Sequence, residues 1–169
     1  MCVRLRLSFG MIAGLKCDRV LPTVFVGPDP RLEQDIELLR SLGVTAILSL
    51  QSEEDVKGHS TVILGAVIDA GLKVHKVPIT DFDRADLKLK LPASVTALND
   101  LVESGETVYV HCTAGVSRSP TVVAAYMNQC LHWSLESAVN HLMSIRVCCP
   151  DLELISTTDW GPQRKRGSE

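Results

Sequence analysis

Apolar positions along the chain fall into two kinds of run, short ones of strand length and longer ones with helical spacing. The short runs predict strands at residues 24–26, 44–50, 72–79 and 107–110. The longer runs predict helices at about residues 30–42, 61–70, 92–103 and 120–131, one after Ser134, and a short one near Asp151. Residues 51–60 form a polar loop. Because strands alternate with helices, we expect an α/β fold with a central, mostly parallel sheet flanked by helices.

The composition supports one folded domain. With 169 residues and 46% apolar content, the chain can bury one sizeable core. We expect the domain to cover residues 21–158, with a lead-in or targeting segment at 1–20 and a loose tail at 159–169. The formal net charge of −3 gives no argument for nucleic acid or for an anionic membrane as a partner. The longest apolar run, residues 61–68, is too short to span a bilayer. We also expect the protein to be a monomer.

The first twenty residues are basic, with Arg4, Arg6, Lys16 and Arg19 against the single acid Asp18. Such a composition is typical of organellar transit segments, which are basic and poor in acids. A strand-like lead-in to the first predicted strand is an equal alternative. The sequence leaves cytoplasm, plastid and mitochondrion open as the compartment.

The six cysteines do not form the framework of a secreted disulfide scaffold, because the chain is too long and too apolar to need one. The adjacent pair Cys148 and Cys149 lacks the spacing of a metal site, and we predict no metal ion or other cofactor. We therefore expect an intracellular, reducing compartment. A weaker hypothesis is that one of the other cysteines shields Cys112 through a reversible disulfide.

The segment from His111 to Pro120 carries the chemistry. Cys112 and Arg118 bracket five small or unhindered residues, between a predicted strand and a predicted helix. A strand, tight loop and helix in this order turn several backbone N–H groups toward one point at the positive end of a helix dipole. A cysteine at the base of that loop is favoured as thiolate, and an arginine at its mouth can hold two phosphate oxygens. The segment predicts a thiolate that attacks a phosphate monoester.

The same residues resemble the signature of the Cys-x5-Arg phosphatases, and within them the dual-specificity branch. The resemblance implies that Cys112 is the nucleophile of a cysteinyl-phosphate intermediate and that Arg118 binds the phosphate and stabilises the transition state. It also implies that Ser119 donates to the thiolate and that His111 orders the loop from behind. The backbone of the loop would bind the substrate phosphate through Thr113, Ala114, Gly115, Val116 and Ser117.

The general acid must come from outside this loop, because the loop contains no proton donor for the leaving oxygen. The related phosphatases take it from an aspartate on a loop about thirty residues upstream of the cysteine. Asp81 is the first carboxylate after the predicted strand at 72–79 and precedes Cys112 by 31 residues, so the resemblance implies that it is the acid. Asp83 and Asp86 are rivals on spacing, with turn formation or helix capping as their alternative role.

A wider resemblance extends over roughly residues 24–155, to the plant glucan phosphatases that are related to laforin. It rests on six segments: residues 25–27, 35–39, 48–51, 80–83, 91–92 and 144–150. The resemblance implies a phosphorylated glucan as substrate, and Phe82 matches an aromatic residue that contacts the glucan chain. Two departures keep an alternative open, a protein phosphatase acting on phosphotyrosine and on phosphoserine or phosphothreonine. Ser117 is typical of protein phosphatases, and aromatic residues make up only 4% of the chain.

Overall fold

Five strands form one sheet in the computed structural model, which describes residues 14–57 and 62–161 but not the side chains of 62–64. The strands are β1 (Asp18–Leu21), β2 (Val24–Gly27), β3 (Ala46–Gln51), β4 (Lys73–Ile79) and β5 (Val108–His111). Their order is β1-β2-β5-β3-β4; β1 is antiparallel to β2, and every other pair is parallel. The predicted α/β class with a mostly parallel sheet is confirmed.

Seven helices flank this sheet in the described part of the chain. They are α1 (Glu33–Ser41), α2 (Glu53–Val56), α3 (Val62–Asp69), α4 (Arg84–Glu103), α5 (Arg118–Gln129), α6 (Leu135–Ile145) and α7 (Leu152–Ser156). The side chains of β5 alternate between two hydrophobic clusters: Val108 and Val110 pack with α4, α5 and α6, whereas Tyr109 packs with α1 and α3. Both faces of the central strands are therefore covered, which explains why β3 and β5 are buried along their whole length.

Two helix starts differ by three or more residues from the sequence prediction. The helix expected from residue 30 begins at Glu33, because the Asp35 carboxylate accepts the N–H groups of Arg31 and Leu32 and closes its first turn there. The helix expected over 92–103 begins at Arg84 and carries Pro92 in its interior. Packing of Leu87 and Leu91 into the core outweighs the helical hydrogen bond that proline cannot donate.

The polar loop expected over residues 51–60 contains the short helix α2, and the helix expected from Pro120 begins at Arg118. In that helix Pro120 lies in the first turn, where a missing N–H costs nothing. Ser134 and Asp151 cap α6 and α7 with their side chains. Residues 18–21, where the lead-in meets the expected domain, form β1.

The hypothesis of a targeting segment falls largely on residues 1–13, and most of the expected tail on 162–169; both lie outside the described residues. The domain bounds therefore stay predictions. Within the described part of the chain, no helix combines the length and the apolar character that crossing a bilayer requires.

Candidate active site

The predicted phosphate-binding loop, residues 112–117, joins the carboxyl end of β5 to the amino end of α5. The strand β5 lies between β2 and β3, and the ends of these parallel strands meet at one edge of the sheet. Ligands bind at this edge in open α/β sheets. The twelve residues of α5 add the positive end of a helix dipole directly behind the loop.

Gly115 lets this loop lie close against the end of β2. Its φ of +67° is in the left-handed region, and a Cβ atom there would overlap the backbone of Gly27. Gly27 in turn has no room for a side chain, because the Tyr109 hydroxyl lies over it and donates to the Pro28 carbonyl at 2.5 Å. Two glycines in contact thus set the height of the loop above the sheet.

Three carbonyl groups between Thr113 and Val116 accept hydrogen bonds from the surrounding chain. The N–H of Asp29 donates to the Thr113 carbonyl at 3.1 Å, Nε of Arg146 to the Gly115 carbonyl at 3.1 Å, and the N–H of Cys149 to the Val116 carbonyl at 2.8 Å. In a trans peptide the carbonyl and the following N–H point in opposite directions. Outward carbonyls therefore turn the N–H groups of residues 114, 116 and 117 inward, which makes a cradle for an oxyanion.

Cys112 lies at the base of this cradle and is 3% exposed. Its Sγ is 3.4 Å from the hydroxyl oxygen of the fully buried Ser119, so that hydroxyl can donate to a thiolate. Both residues belong to the predicted catalytic set, and the structure brings them together.

His111 lies behind the loop, stacked on Tyr109 with ring centroids 5.7 Å apart. Burial lowers the pKa of His111, which favours the neutral ring, even though the nearby Asp29 carboxylate acts in the opposite direction. Its Nδ1 lies 3.2 Å from the Cys112 carbonyl, and because a carbonyl only accepts, the ring donates there. This contact fits the predicted ordering role.

Arg118 reaches the mouth of the loop with a side chain that is only 4% exposed. Nη1 donates to Asp55 Oδ2 at 2.7 Å and to the Ile79 carbonyl at 2.8 Å. Nη2 donates to the Thr113 hydroxyl at 3.1 Å and lies 3.0 Å from Oδ1 of Asp81. Burial alone would lower the pKa of Arg118, but the hydrogen bond to Asp55 and the neighbouring negative charges raise it, so the guanidinium stays charged.

Asp55 is a site residue that the sequence prediction missed. Burial alone would raise the pKa of its carboxyl, but hydrogen bonds from Arg118, from Ser52 and from Thr113 hold that pKa well below its usual range. Ser52 contributes both its N–H, at 2.8 Å, and its hydroxyl, at 3.0 Å. A Ser-x-x-Asp capping pattern directly after β3 was the available signal, since it distinguishes Asp55 from its neighbours Glu53 and Glu54.

Of the three candidate acids, Asp81 is the one that contacts Arg118. Asp83 caps α4 by accepting the N–H of Asp86 at 2.9 Å. Asp86 accepts the N–H of Thr80 at 2.7 Å and pairs with Lys90 at 2.9 Å. The capping alternative therefore describes the contacts of Asp83 and Asp86, and Asp81 stays the predicted acid.

Phe82 projects from the chain directly after Asp81 and is completely exposed. Its φ of +57° is unusual for a residue with a bulky side chain. A groove of about 940 Å³ is lined by residues from the segments 14–18, 28–35 and 145–147 and by Thr113, Ala114 and Val116 of the loop. None of the described residues that line this groove is aromatic.

The described residues contain no group of three or more His, Cys, Asp or Glu side chains arranged to hold a metal ion.

The loop residues predicted to bind substrate differ in exposure: Ala114, Val116 and Ser117 are exposed, whereas Gly115 is buried. Ser117 precedes the first residue of α5 and lies at the rim of the cradle.

Comparison with known proteins agrees with this architecture. The family model described as "Dual specificity phosphatase, catalytic domain" matches residues 24–157. The chain is 35% identical over 149 residues to the amyloplastic phosphoglucan phosphatase DSP4 of Castanea sativa, 31% over 157 residues to the chloroplastic phosphoglucan phosphatase LSF1 of Arabidopsis thaliana, and 32% over 142 residues to laforin of Mus musculus. These matches cover 85%, 91% and 76% of this chain, but only 40%, 27% and 43% of the relatives.

Solved structures share the fold as well. The crystal structure of PTPMT1 in complex with PI(5)P superposes with a TM-score of 0.69 at 26% identity, covering 82% of this chain and 91% of that one. The crystal structure of human DUSP28 superposes with a TM-score of 0.66 at 26% identity, covering 84% of this chain and 91% of that one.

Proposed function

The chain belongs to the dual-specificity phosphatase family, and from that premise we propose that it is a cysteine-dependent phosphomonoester hydrolase. One observation carries the proposal. The Cys112 thiol lies under a loop whose carbonyls are tied outward, with Ser119 3.4 Å from its sulfur and with Arg118 held at the mouth of the same loop. This is an oxyanion cradle with a nucleophile at its base.

The proposed reaction has two steps. In the first, the Cys112 thiolate attacks phosphorus, the bond from phosphorus to the leaving oxygen breaks, and the protonated carboxyl of Asp81 gives that oxygen its proton. In the second, Asp81 takes a proton from a water molecule that attacks the cysteinyl phosphate, and the sulfur–phosphorus bond breaks. The Ser119 hydroxyl donates to the departing thiolate, and the products are the alcohol and inorganic phosphate.

Arg118 and the inward N–H groups supply the charge stabilisation in both steps. The charge on the phosphoryl group spreads over its equatorial oxygens in the transition state, which is where a planar guanidinium and backbone donors act. Because Asp55 and the Ile79 carbonyl hold Nη1, the guanidinium needs little reorganisation when phosphate binds. Phosphate has to compete with Asp81 for the Nη2 edge of Arg118.

For the substrate we favour a phosphorylated glucan. Two of the relatives are named phosphoglucan phosphatases, and the fully exposed Phe82 directly follows the proposed acid. An aromatic face beside the reacting phosphate offers apolar area on which a sugar ring can lie.

A protein phosphatase acting on phosphotyrosine and on phosphoserine or phosphothreonine is the second candidate. The observation that favours it is the groove next to Val116, whose described lining contains no aromatic side chain but does contain the exposed apolar residues Leu32 and Val147. Such a surface suits a peptide side chain better than a sugar.

The two candidates are separated by phosphate release from phosphorylated amylopectin and from phosphotyrosyl and phosphothreonyl peptides, with Cys112→Ser as the blank. The glucan proposal expects the higher kcat/KM on amylopectin. Release from the peptides with none from amylopectin would establish the second candidate instead. No release from either class, or from p-nitrophenyl phosphate, would contradict the proposed activity itself.

We propose that the enzyme works as a monomer, which light scattering of the purified chain tests directly.

Two relatives carry plastid locations in their names, and together with the basic segment at 1–20 they support a plastid over the cytoplasm. Imaging of the full chain fused to a fluorescent protein at its carboxyl end decides between the two compartments.

A further inference from the structure

Arg146 is a buried cation that the proposed reaction does not use. It lies directly after α6, its backbone is extended with φ −140°, and its side chain is 7% exposed. Nε donates to the Gly115 carbonyl at 3.1 Å. Nη1 donates to the Val26 carbonyl at 2.9 Å, to Asp18 Oδ2 at 2.6 Å and to the Lys16 carbonyl at 3.3 Å.

These hydrogen bonds connect the two backbone segments that meet where Gly115 of the loop contacts Gly27 of β2. Gly115 lies against Gly27, and Arg146 donates both to Gly115 and to Val26, the residue before Gly27. One planar guanidinium therefore fixes the loop, the end of β2 and the segment before β1 relative to one another. A lysine ammonium has no such rigid fork, so it cannot reproduce both carbonyl contacts with the same spacing.

The contact to Gly115 has a consequence for the cradle. Because the carbonyl of Gly115 is drawn toward Arg146, the N–H of Val116 on the same peptide plane points away from it, into the loop. Gly115 has no side chain, so its left-handed backbone can take more conformations than that of other residues. A hydrogen-bond donor outside the loop is therefore needed to fix the direction of the Gly115–Val116 peptide. Neighbouring peptides depend on Asp29 and Cys149 in the same way, but those donors are backbone N–H groups.

We propose that Arg146 is a positioning residue for the phosphatase reaction: it orients the Gly115–Val116 peptide so that the Val116 N–H remains a donor to the phosphate and to the transition state. The proposal rests on the proposed function, since it assigns a role within that site. It does not involve substrate contact by Arg146, and it applies equally to glucan and protein substrates.

The test compares Arg146→Lys with Asp18→Asn. The second variant removes the charge of the ion-pair partner but retains an oxygen that can accept, and it leaves the contacts to Gly115 and Val26 in place. For each protein we would measure orthovanadate affinity, kcat and KM on p-nitrophenyl phosphate, thermal unfolding, and the Val116 amide resonance with and without vanadate. If Arg146→Lys unfolds below the assay temperature, Arg146→Met replaces it, because a thioether has no N–H to donate to the Gly115 carbonyl.

We expect Arg146→Lys to lower kcat and vanadate affinity by about 10- to 100-fold while the protein stays folded, as displaced oxyanion donors do. The Val116 amide should no longer shift on vanadate binding, and Asp18→Asn should stay within about 2-fold of the parent on the same scale. Unchanged kcat and vanadate affinity in Arg146→Lys would overturn the proposal, as would an equal loss in both variants. Arg146-dependent vanadate binding without hydrolysis of any ester would support the positioning role and contradict the proposed function; absence of vanadate binding in the parent protein would overturn both.

Discussion

Asp55 holds Arg118 through both of its carboxylate oxygens, at 2.7 Å from Nη1 and 3.3 Å from Nη2, and both side chains are less than one-tenth exposed. The two residues are 63 positions apart in sequence and belong to elements that follow neighbouring parallel strands. The pair gives the guanidinium one permanent anionic partner, so the phosphate binds an arginine that is already oriented.

The first prediction follows from removing that partner. Asp55→Asn removes the buried counter-charge of Arg118 and leaves the guanidinium only the more exposed Asp81 as an anionic neighbour; breaking a buried pair costs about 3 kcal/mol or more. The free energy of unfolding in urea should fall by about that amount, and the KM for p-nitrophenyl phosphate should rise because Arg118 is no longer fixed. Glu54→Gln is the matched control, since Glu54 is an exposed neighbour, and it should change neither quantity measurably. Equal stability of Asp55→Asn and the parent would show that the pair is not a structural anchor.

The second prediction concerns pH. The pKa of Asp55 in the folded protein lies well below the value of about 3.9 in an unfolded chain, so the unfolded state binds the proton more readily. The stabilisation by Asp55 is then complete above about pH 4 and is lost as pH falls toward the folded pKa. The stability difference between the parent and Asp55→Asn should therefore be largest at neutral pH and shrink below about pH 4, in urea unfolding followed at each pH. A difference that stays constant from pH 7 to pH 3 would contradict this linkage.

The sequence was sufficient for the part of the site that is local. His111 to Ser119 are contiguous, and the strand, loop and helix that orient them are adjacent in the chain, so their spacing alone indicates the cradle. The parallel sheet was also predictable, because runs that are apolar on both faces alternate with helical periods. Asp81 could be placed on a loop after its strand, although spacing alone did not separate it from Asp83 and Asp86.

The contributions from distant segments were not predictable in the same way. Asp55 is one of three consecutive carboxylates, and its pairing with Arg118 depends on β3 lying beside β5, which no local pattern encodes. Arg146 lies in a segment that carries the wider resemblance, but its contact with the loop depends on the end of α6 bringing its guanidinium to the Gly115 carbonyl. The start of α4 was predicted at Pro92, which was wrong, because the burial of Leu87 and Leu91 outweighs the local preference of proline for a helix start.

The third prediction tests the acid. Asp81→Asn should lower kcat by about 100-fold or more on poor leaving groups such as sugar alcohols, because general acid catalysis contributes about that much. The loss should be far smaller on p-nitrophenyl phosphate, whose leaving group needs no proton. Asp83→Asn is the control, because asparagine still caps a helix and its stability cost is small. If Asp83→Asn shows the dependence on leaving group and Asp81→Asn does not, the acid has been assigned to the wrong residue.

The fourth prediction assigns Ser119 to the breakdown of the intermediate. With its hydroxyl 3.4 Å from Cys112 Sγ, Ser119→Ala removes a donor to the departing thiolate but not the nucleophile. In rapid-mixing experiments with p-nitrophenyl phosphate, a burst of nitrophenol should precede a slower steady state, because cysteinyl phosphate accumulates. Ser117→Ala, at the rim of the same loop, should show no burst. A uniform loss of rate without a burst in Ser119→Ala would place its role before or during the first step.

The fifth prediction links backbone strain at Phe82 to substrate choice. A phenylalanine at φ +57° with a completely exposed side chain costs about 1 kcal/mol and gains no burial, which favours a role in binding rather than in folding. Phe82→Asn, which tolerates this backbone better, should keep or slightly raise the melting temperature and leave kcat/KM on p-nitrophenyl phosphate within about 2-fold. On phosphorylated amylopectin kcat/KM should fall by about 10-fold, and Phe82→Tyr, which keeps an aromatic face, should restore most of it. Equal activity of Phe82→Asn and the parent on amylopectin would remove Phe82 as a glucan contact, and with it the structural argument for glucan over protein.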